Sequence, residues 1–353
     1  MDERIAKCDL WLERRGAFEH VVVSSRARFA RNLQMVPFPH CASEGERGRV
    51  YRRVAEAIEQ VPQLTGAIHF ELSQLGRKER SYLRESNVIS QEMEIVDSYK
   101  ERGLFLSPDV RVGVMVNEED HLRIFALEAG FQPYEVLKRA SDLEMTLDNL
   151  LAFAFSERFG YLTACPSNTG TGLRISVMLH LPGLVLTEQV SQIFEAMPQL
   201  GMTVRGFQGE RSENHGNFFQ LSNEVTLGLS EEQIVDRFKK IIEDLIAKEE
   251  AARHELFKNH GLKLEDQIWR AFGILSHARQ VTSHEALSLL TLLRLGVDRG
   301  FFRGLDHHAL NRLAIEVQPS HIELRRQASG PESRDEARAL FLRERLAMAA
   351  PRN

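Results

Sequence analysis

Cysteine is scarce: Cys8, Cys41 and Cys165 are the only three in 353 residues. An odd number at wide spacing excludes a disulfide framework and a four-cysteine zinc site, and it fits a reducing, cytoplasmic setting. No apolar run approaches the roughly 18 residues that a membrane-spanning helix needs. The charged start, Met1-Asp2-Glu3-Arg4, leads into no apolar signal segment, so secretion is not expected. Lysine is also sparse, with 9 against 36 arginines. No basic run occurs and the formal net charge is −5, which argues against a nucleic-acid-binding regulator. Several signatures are missing altogether: the P-loop, the Gly-x-Gly-x-x-Gly turn, His-Glu-x-x-His and the Gly-x-Ser-x-Gly elbow.

What is present is the composition of an ordinary globular protein, 43% hydrophobic and 27% charged. The length suggests about two domains of roughly 150 residues. The first twenty residues read as a short helical segment. Strands are expected at Val21–Val23 running into Ser24–Arg28, at 68–72, 110–116, 161–165, 173–181, 203–207 and 217–221. A helix is expected over Val50–Ile58, and Ser141-x-x-Glu144 reads as a capping box opening another that continues through Phe155. Strands interleaved with helices without regular βαβ spacing predict an α+β fold around an antiparallel sheet. From Ser230-x-x-Gln233 onward the pattern is helical. Thr282-x-x-Glu285 caps one helix that Gly296 can end, and a last helix spans about Arg334 to Met348. The expected division is a short segment over 1–20, a catalytic domain over 21–250 and an all-helical domain over 251–353.

Four segments carry the chemistry. In Ser24-Ser25-Arg26-Ala27-Arg28, alternate residues of a strand share a face, so Arg26 and Arg28 point the same way. In Asn117-Glu118-Glu119-Asp120-His121-Leu122-Arg123, three adjacent acids repel one another unless a cation is held there. Cys165-Pro166-Ser167-Asn168-Thr169-Gly170-Thr171-Gly172 is a small polar loop that lets a ligand approach the backbone, and Arg174 and Ser176 open the polar face of the strand behind it. Arg205-Gly206-Phe207-Gln208-Gly209-Glu210 reads as a strand end running into a glycine-flanked acidic loop. Each segment alone is as well explained by solvated turns and strand faces.

Together they resemble the phosphagen (ATP:guanido) kinase family, in its bacterial protein arginine kinase branch, the McsB type. The similarity extends over nearly the whole chain, through the motifs around Arg26, Glu119, Cys165–Arg174 and Arg205–Glu210. The resemblance implies a phosphagen-kinase catalytic domain and transfer of the γ-phosphoryl group of ATP, as a magnesium complex, to a guanidinium nitrogen. It implies an ATP site at Ser24, Ser25, Arg26, Ala27, Arg28, Arg123, Arg174, Ile175, Ser176, Val177, Met178, Arg205, Gly206, Phe207, Gln208, Gly209 and Glu210. The metal is expected to be held by ATP and not by protein ligands. Glu119, Glu210 and Cys165 are the implied catalytic residues, with Glu213 a rival for Glu210. The sizeable helical domain that covers the substrate in metabolite kinases has no room before Ser24, which favours arginine on a protein over a free metabolite.

Arg334-Asp335-Glu336-Ala337-Arg338-Ala339 matches the branch's motif for allosteric phosphoarginine binding, through Arg334, Asp335 and Arg338. The branch further implies protein quality control and stress response, substrates marked for a Clp-type protease, an activator of the McsA type and a homodimer. Asn87, Gln208 and Arg211 depart from the family pattern; Arg211 would partly neutralise Glu210. A catalytically weak phosphoarginine-binding regulator and a metabolite guanidino kinase remain as alternatives.

Overall fold

The structure is a computed structural model, and it describes residues 2–95, 100–206 and 216–351. In chain order the elements begin with α1 (Glu3–Ala6), β1 (Val22–Arg31), α2 (Glu44–Ile58), β2 (Ile68–Glu71), α3 (Arg77–Glu85) and α4 (Gln91–Glu94). The centre of the chain holds β3 (Gly103–Leu106), β4 (Val112–Val116), β5 (Leu122–Ala129), α5 (Pro133–Leu151), β6 (Phe155–Ser156), β7 (Gly160–Tyr161) and β8 (Leu173–His180). Then come α6 (Pro182–Leu186), α7 (Val190–Ala196), β9 (Met202–Gly206), β10 (Phe218–Asn223), α8 (Glu231–His277) and α9 (Ser283–Asp298). The C-terminal elements are β11 (Phe302–Arg303), α10 (His307–Glu316), α11 (Pro319–Arg326), α12 (Pro331–Leu346) and β12 (Ala350–Pro351).

Eight strands form one sheet in the order β2-β3-β4-β5-β1-β8-β10-β9. Every pairing in it is antiparallel, as expected for this α+β chain. Strand alternation sends Ala27, Phe29, Ile124, Ile175 and Val177 into a core closed by α5 and the first half of α8. The opposite face packs another apolar core along β2–β5, including Phe70, Met115, Phe125 and Leu127, and carries the arginine-lined candidate site around β1 and β8.

Three local expectations change. The helix α5 begins at Pro133, not Ser141, because proline at the first position has its φ preset for a helix. Ser141 and Glu144 therefore lie mid-helix, and Phe155 lies beyond it in β6. Gly296 does not end α9, which runs to Asp298; a Cβ there would sit 2.5 Å from the Phe302 ring, so glycine serves packing. Of 161–165 only Tyr161 is in a strand, and Pro166–Asn168 form a 3-10 turn. The capping box at Ser230 and Gln233 opens α8, a 47-residue helix that passes through residue 250 and departs from helical geometry at His260. Its second half packs with α9, α10 and α12 around a separate apolar core.

Candidate active site

The register of the sheet assembles the arginines. Arg28 lies opposite Arg174 and Arg26 opposite Ser176 across β1 and β8. On the other side of β1, Ala30 lies opposite Arg123 of β5. Gln220 of β10 lies between Met178 of β8 and Arg205 of β9. These residues share one face, on strands about 4.8 Å apart. They line a cleft of about 710 Å³ together with Ser24, Asn87, Ser90, Glu118, Glu119 and Cys165.

The cationic floor is unfavourable without an anion. Burial and then its neighbours Arg26, Arg123 and Arg174 drive the Arg28 guanidinium well below the ordinary arginine range. Burial, with Arg123 second, lowers Arg26 to about 10. Burial and then Arg205 and Arg123 lower Arg174. Buried nitrogens of Arg26 (Nε and Nη2) and Arg28 (Nε) have no hydrogen-bond partner among the described residues. Two like charges 5 Å apart cost roughly 3 kcal/mol at an effective dielectric constant near 20. A polyphosphate offsets that repulsion and supplies the missing acceptors, so the donor set fits the ATP phosphates.

Arg123 differs. Burial works against its charge, but Glu118, Asp120 and Glu119 outweigh it and hold it above its usual value. Its Nη1 donates to Glu118 at 2.6 Å, and the Ser90 hydroxyl donates to the same carboxylate oxygen. Glu119 projects at the cleft with its side chain 43% exposed, 3.5 Å from Arg123. Burial raises its carboxyl, Arg123 opposes that, and Asp120 and Glu118 add to it.

Cys165 lines the same cleft, its Sγ 3.0 Å from the Ser167 hydroxyl. Its loop is tied to the acidic turn. Asp120 accepts from the Ala164 backbone N–H at 2.7 Å and from Asn32 at 2.6 Å. Asn32 also donates to the Leu162 carbonyl and accepts from the His121 N–H. One buried side-chain pair thus aligns the end of β1, the turn that carries Glu119 and the loop that carries Cys165.

Of the residues named from sequence, Ser24, Arg26, Arg28, Arg123, Arg174, Ser176, Met178, Arg205, Glu119 and Cys165 all meet in the cleft. Four do not present their side chains there. Ala27, Ile175 and Val177 face the helix-covered core, because alternate residues of a strand point to opposite sides. Ser25 is buried and bonds the Gly130 carbonyl and the Gln132 N–H. Gly206 ends β9 opposite Phe219. Phe207, Gln208, Gly209, Glu210, Arg211 and Glu213 lie outside the described residues. Sequence reasoning missed Glu118, Ser90, Asn32 and Asp120 as site residues. Glu118 and Asp120 were legible as part of the acidic run; the pairing of Asp120 with Asn32, 88 residues away, carries no local signal.

The C-terminal motif is engaged within its own domain. Arg338 is buried, and it donates to the Val317 and Val281 carbonyls at 2.8 Å and to Asp335 at 2.5 Å. Arg334 instead pairs with Glu323 at 3.1 Å. The two guanidinia thus sit in different surroundings, Arg334 partly exposed and Arg338 buried.

Residues 49–252 match the ATP:guanido phosphotransferase C-terminal catalytic domain, and residues 261–353 match the protein-arginine kinase McsB C-terminal domain. The protein-arginine kinase of Desulforamulus reducens is 42% identical over 95% of this chain and 95% of its own. That of Geobacillus stearothermophilus is 42% identical over 97% of this chain and 94% of its own. The chain belongs to the protein-arginine kinase family. Two solved phosphagen kinases share the fold of the wider group. The duplicated taurocyamine kinase of Schistosoma mansoni superposes with a TM-score of 0.61 at 25% identity, over 68% of this chain and 35% of that one. A lombricine kinase does so with a TM-score of 0.58 at 25% identity, over 69% of this chain and 70% of that one. The McsB C-terminal match distinguishes a protein-arginine kinase within this group. It falls on the part of the chain that α8 joins to the catalytic sheet.

Proposed function

We propose that this member of the protein-arginine kinase family transfers the γ-phosphoryl group of ATP to arginine side chains of proteins. The observation that carries the reading is the row of guanidinia on four strands, facing a carboxylate and a thiol across one cleft. Arg26, Arg28, Arg123, Arg174 and Arg205 hold the phosphates and disperse the charge that develops as the Pγ–O bond to ADP breaks. Among the described residues no three carboxylate, histidine or cysteine side chains converge on a metal position. Mg²⁺ would be held by the nucleotide's phosphates and would supply further charge neutralisation there.

Glu119 receives the acceptor guanidinium as an ion pair, and Cys165 flanks it. A protonated guanidinium has no free nitrogen lone pair, so it must lose a proton as the N–P bond forms. Glu119, exposed at the cleft, is our candidate to take it; Glu210 and Glu213 are the candidates for a second. Transfer leaves ADP and an N-phosphorylated arginine, with the proton passing through the carboxylate to solvent.

In this reading residues 21–250 form the catalytic domain and 251–353 a helical domain that uses Arg334, Asp335 and Arg338 in phosphoarginine recognition. The setting is cytoplasmic protein quality control, with a homodimer, an activator of the McsA type and Clp-type proteolysis of the marked proteins. Among the described residues no helix is long and apolar enough to cross a membrane. The test is mass spectrometry at neutral pH after incubation with Mg·ATP and an unfolded protein. Phosphate on arginine is the expected result. ATP hydrolysis without protein modification, or modification of free arginine alone, would overturn it.

A further inference from the structure

Beside the cleft lies a groove of about 320 Å³ lined by Phe155, Phe159, Leu227 and Leu229, with Arg158 at its rim and Glu231 also in its wall. Bulky apolar side chains are out in solvent here: Phe155 is 56% exposed, Leu227 54% and Phe159 44%. Scattered single exposures are normal; here they cluster around one groove.

The groove and the catalytic cleft share a wall. Gly170 and Thr171 of the 165–172 loop line the groove, while Cys165, Ser167, Asn168 and Gly172 of the same loop line the cleft. The connection is tight. Ser167 Oγ is 3.0 Å from Cys165 Sγ, and the Ser167 carbonyl accepts from Thr226 Oγ1 at 3.0 Å, one residue before Leu227. Thr226 Oγ1 also bonds the Thr169 carbonyl, and the Thr226 carbonyl accepts from the Thr171 N–H. Gly170 is held against this segment at φ +115, where a Cβ would lie 2.3 Å from the Thr226 carbonyl oxygen. On the other side the Tyr161 N–H bonds the Gly170 carbonyl, fixing the β6–β7 hairpin to the loop.

We propose that this groove takes a bulky apolar side chain of the protein substrate a few residues from the target arginine. The proposal rests on the reading that a protein arginine enters the cleft beside Cys165. A polypeptide whose arginine is in the cleft must carry its flanking residues over the adjoining surface, and the groove is the apolar surface one loop away. An extended chain advances about 3.3 Å per residue, so a groove that shares one loop with the cleft is within reach of residues close to the arginine. Such residues are buried in a folded protein and exposed in an unfolded one. The groove therefore selects arginines beside uncovered apolar segments.

The test compares two peptides on the full-length protein with Mg·ATP. Each carries one arginine; one has Phe or Leu at positions two to four residues away on both sides, the other has Ser there. Burial of one large apolar side chain predicts roughly a tenfold preference in kcat/KM for the apolar peptide, expressed in KM. Phe155→Ser and Leu227→Ser are exposed positions outside the catalytic machinery. They should abolish the preference and leave the rate on the serine peptide unchanged. A peptide with a photoreactive benzoyl-phenylalanine at the same position should crosslink to 155–161 or 225–229. Equal turnover of the two peptides by the unaltered protein, or crosslinks elsewhere, overturns the proposal while the arginine-kinase reading stands. A change in sedimentation with the peptide preference intact identifies a second copy of the chain as the occupant and overturns it too. Phosphate on neither peptide, with ATP bound, removes the underlying reading and the proposal with it.

Discussion

Asn32 Nδ2 donates to Asp120 Oδ1 at 2.6 Å, and both residues are almost completely buried. The same Asp120 oxygen accepts the N–H of Ala164, next to Cys165. Burial pushes the Asp120 carboxyl up; the hydrogen bonds from Ala164 and Asn32 work against that. Asn32→Ala leaves the carboxylate with one donor fewer in a desolvated site, at a cost of about 1–3 kcal/mol. The expected result is a lower melting temperature and a kcat reduced by roughly tenfold or more, through misplacement of Glu119 and Cys165. The KM for ATP should stay within about twofold, since the register of the sheet, and not Asn32, sets the positions of Arg26, Arg28, Arg123 and Arg174. Steady-state kinetics against both substrates check this split.

Arg28 trades stability for binding. Its guanidinium is disfavoured by burial and three neighbouring arginines. Arg28→Met should leave the nucleotide-free protein as stable or more stable, because it removes repulsion while keeping bulk. The same change should weaken ATP binding by roughly 10-fold to 100-fold, from the loss of a charge-assisted contact of about 1.5–3 kcal/mol. Thermal shifts with and without Mg·ATP measure both effects. A large loss of stability without nucleotide would show that Arg28 is a structural residue.

Glu119 sets an acid limit. Its carboxyl is raised by burial and by Asp120 and Glu118, so it is protonated at a higher pH than an ordinary glutamate. Only the ionised form pairs with a guanidinium. Activity should therefore fall, as pH drops, above the usual glutamate range, and recover as pH rises through that point. Glu119→Gln should be nearly inactive and should lose this limb from its residual profile. A pH–rate curve of unaltered shape in that variant would sink the assignment.

Arg338 and Arg334 separate a buried role from an exposed one. Arg338→Ala strips donors from two backbone carbonyls and from Asp335, with an expected cost of about 1–3 kcal/mol. Arg334→Ala loses only a partly exposed pair with Glu323, with an expected cost of about 0–1 kcal/mol. Chemical denaturation of the two variants reads the difference. A phosphoarginine-binding defect in Arg338→Ala must be judged against that structural loss, whereas one in Arg334→Ala reports on recognition.

Much of the catalytic half was legible because its signals are local. The period-two alternation in β1 and β8 aims Arg26, Arg28, Arg174 and Ser176 at one face, and the run from Asn117 to Arg123 marks the acidic turn. The same alternation corrects the contiguous assignments at Ser25, Ala27, Ile175 and Val177, whose side chains serve the core. The start of α5 was misplaced because Ser141 and Glu144 have cap spacing. Glu144 in fact accepts from Arg31 Nε at 2.7 Å, a partner 113 residues away.

The sequence by itself determined the residue types and the strand faces: an excess of arginine, small residues at the loop, and apolar positions whose period separates core from cleft. It also carried the likeness to the family. The tertiary structure alone decided which strands adjoin. That brought Arg123 of β5 beside Arg26 and Arg28 of β1, Asp120 onto Asn32, and Leu227 against the loop of Cys165. These contacts join residues tens of positions apart through sheet register and buried hydrogen bonds. Register is set by the whole hydrophobic pattern and not by any one segment, so no local window of the chain contains them.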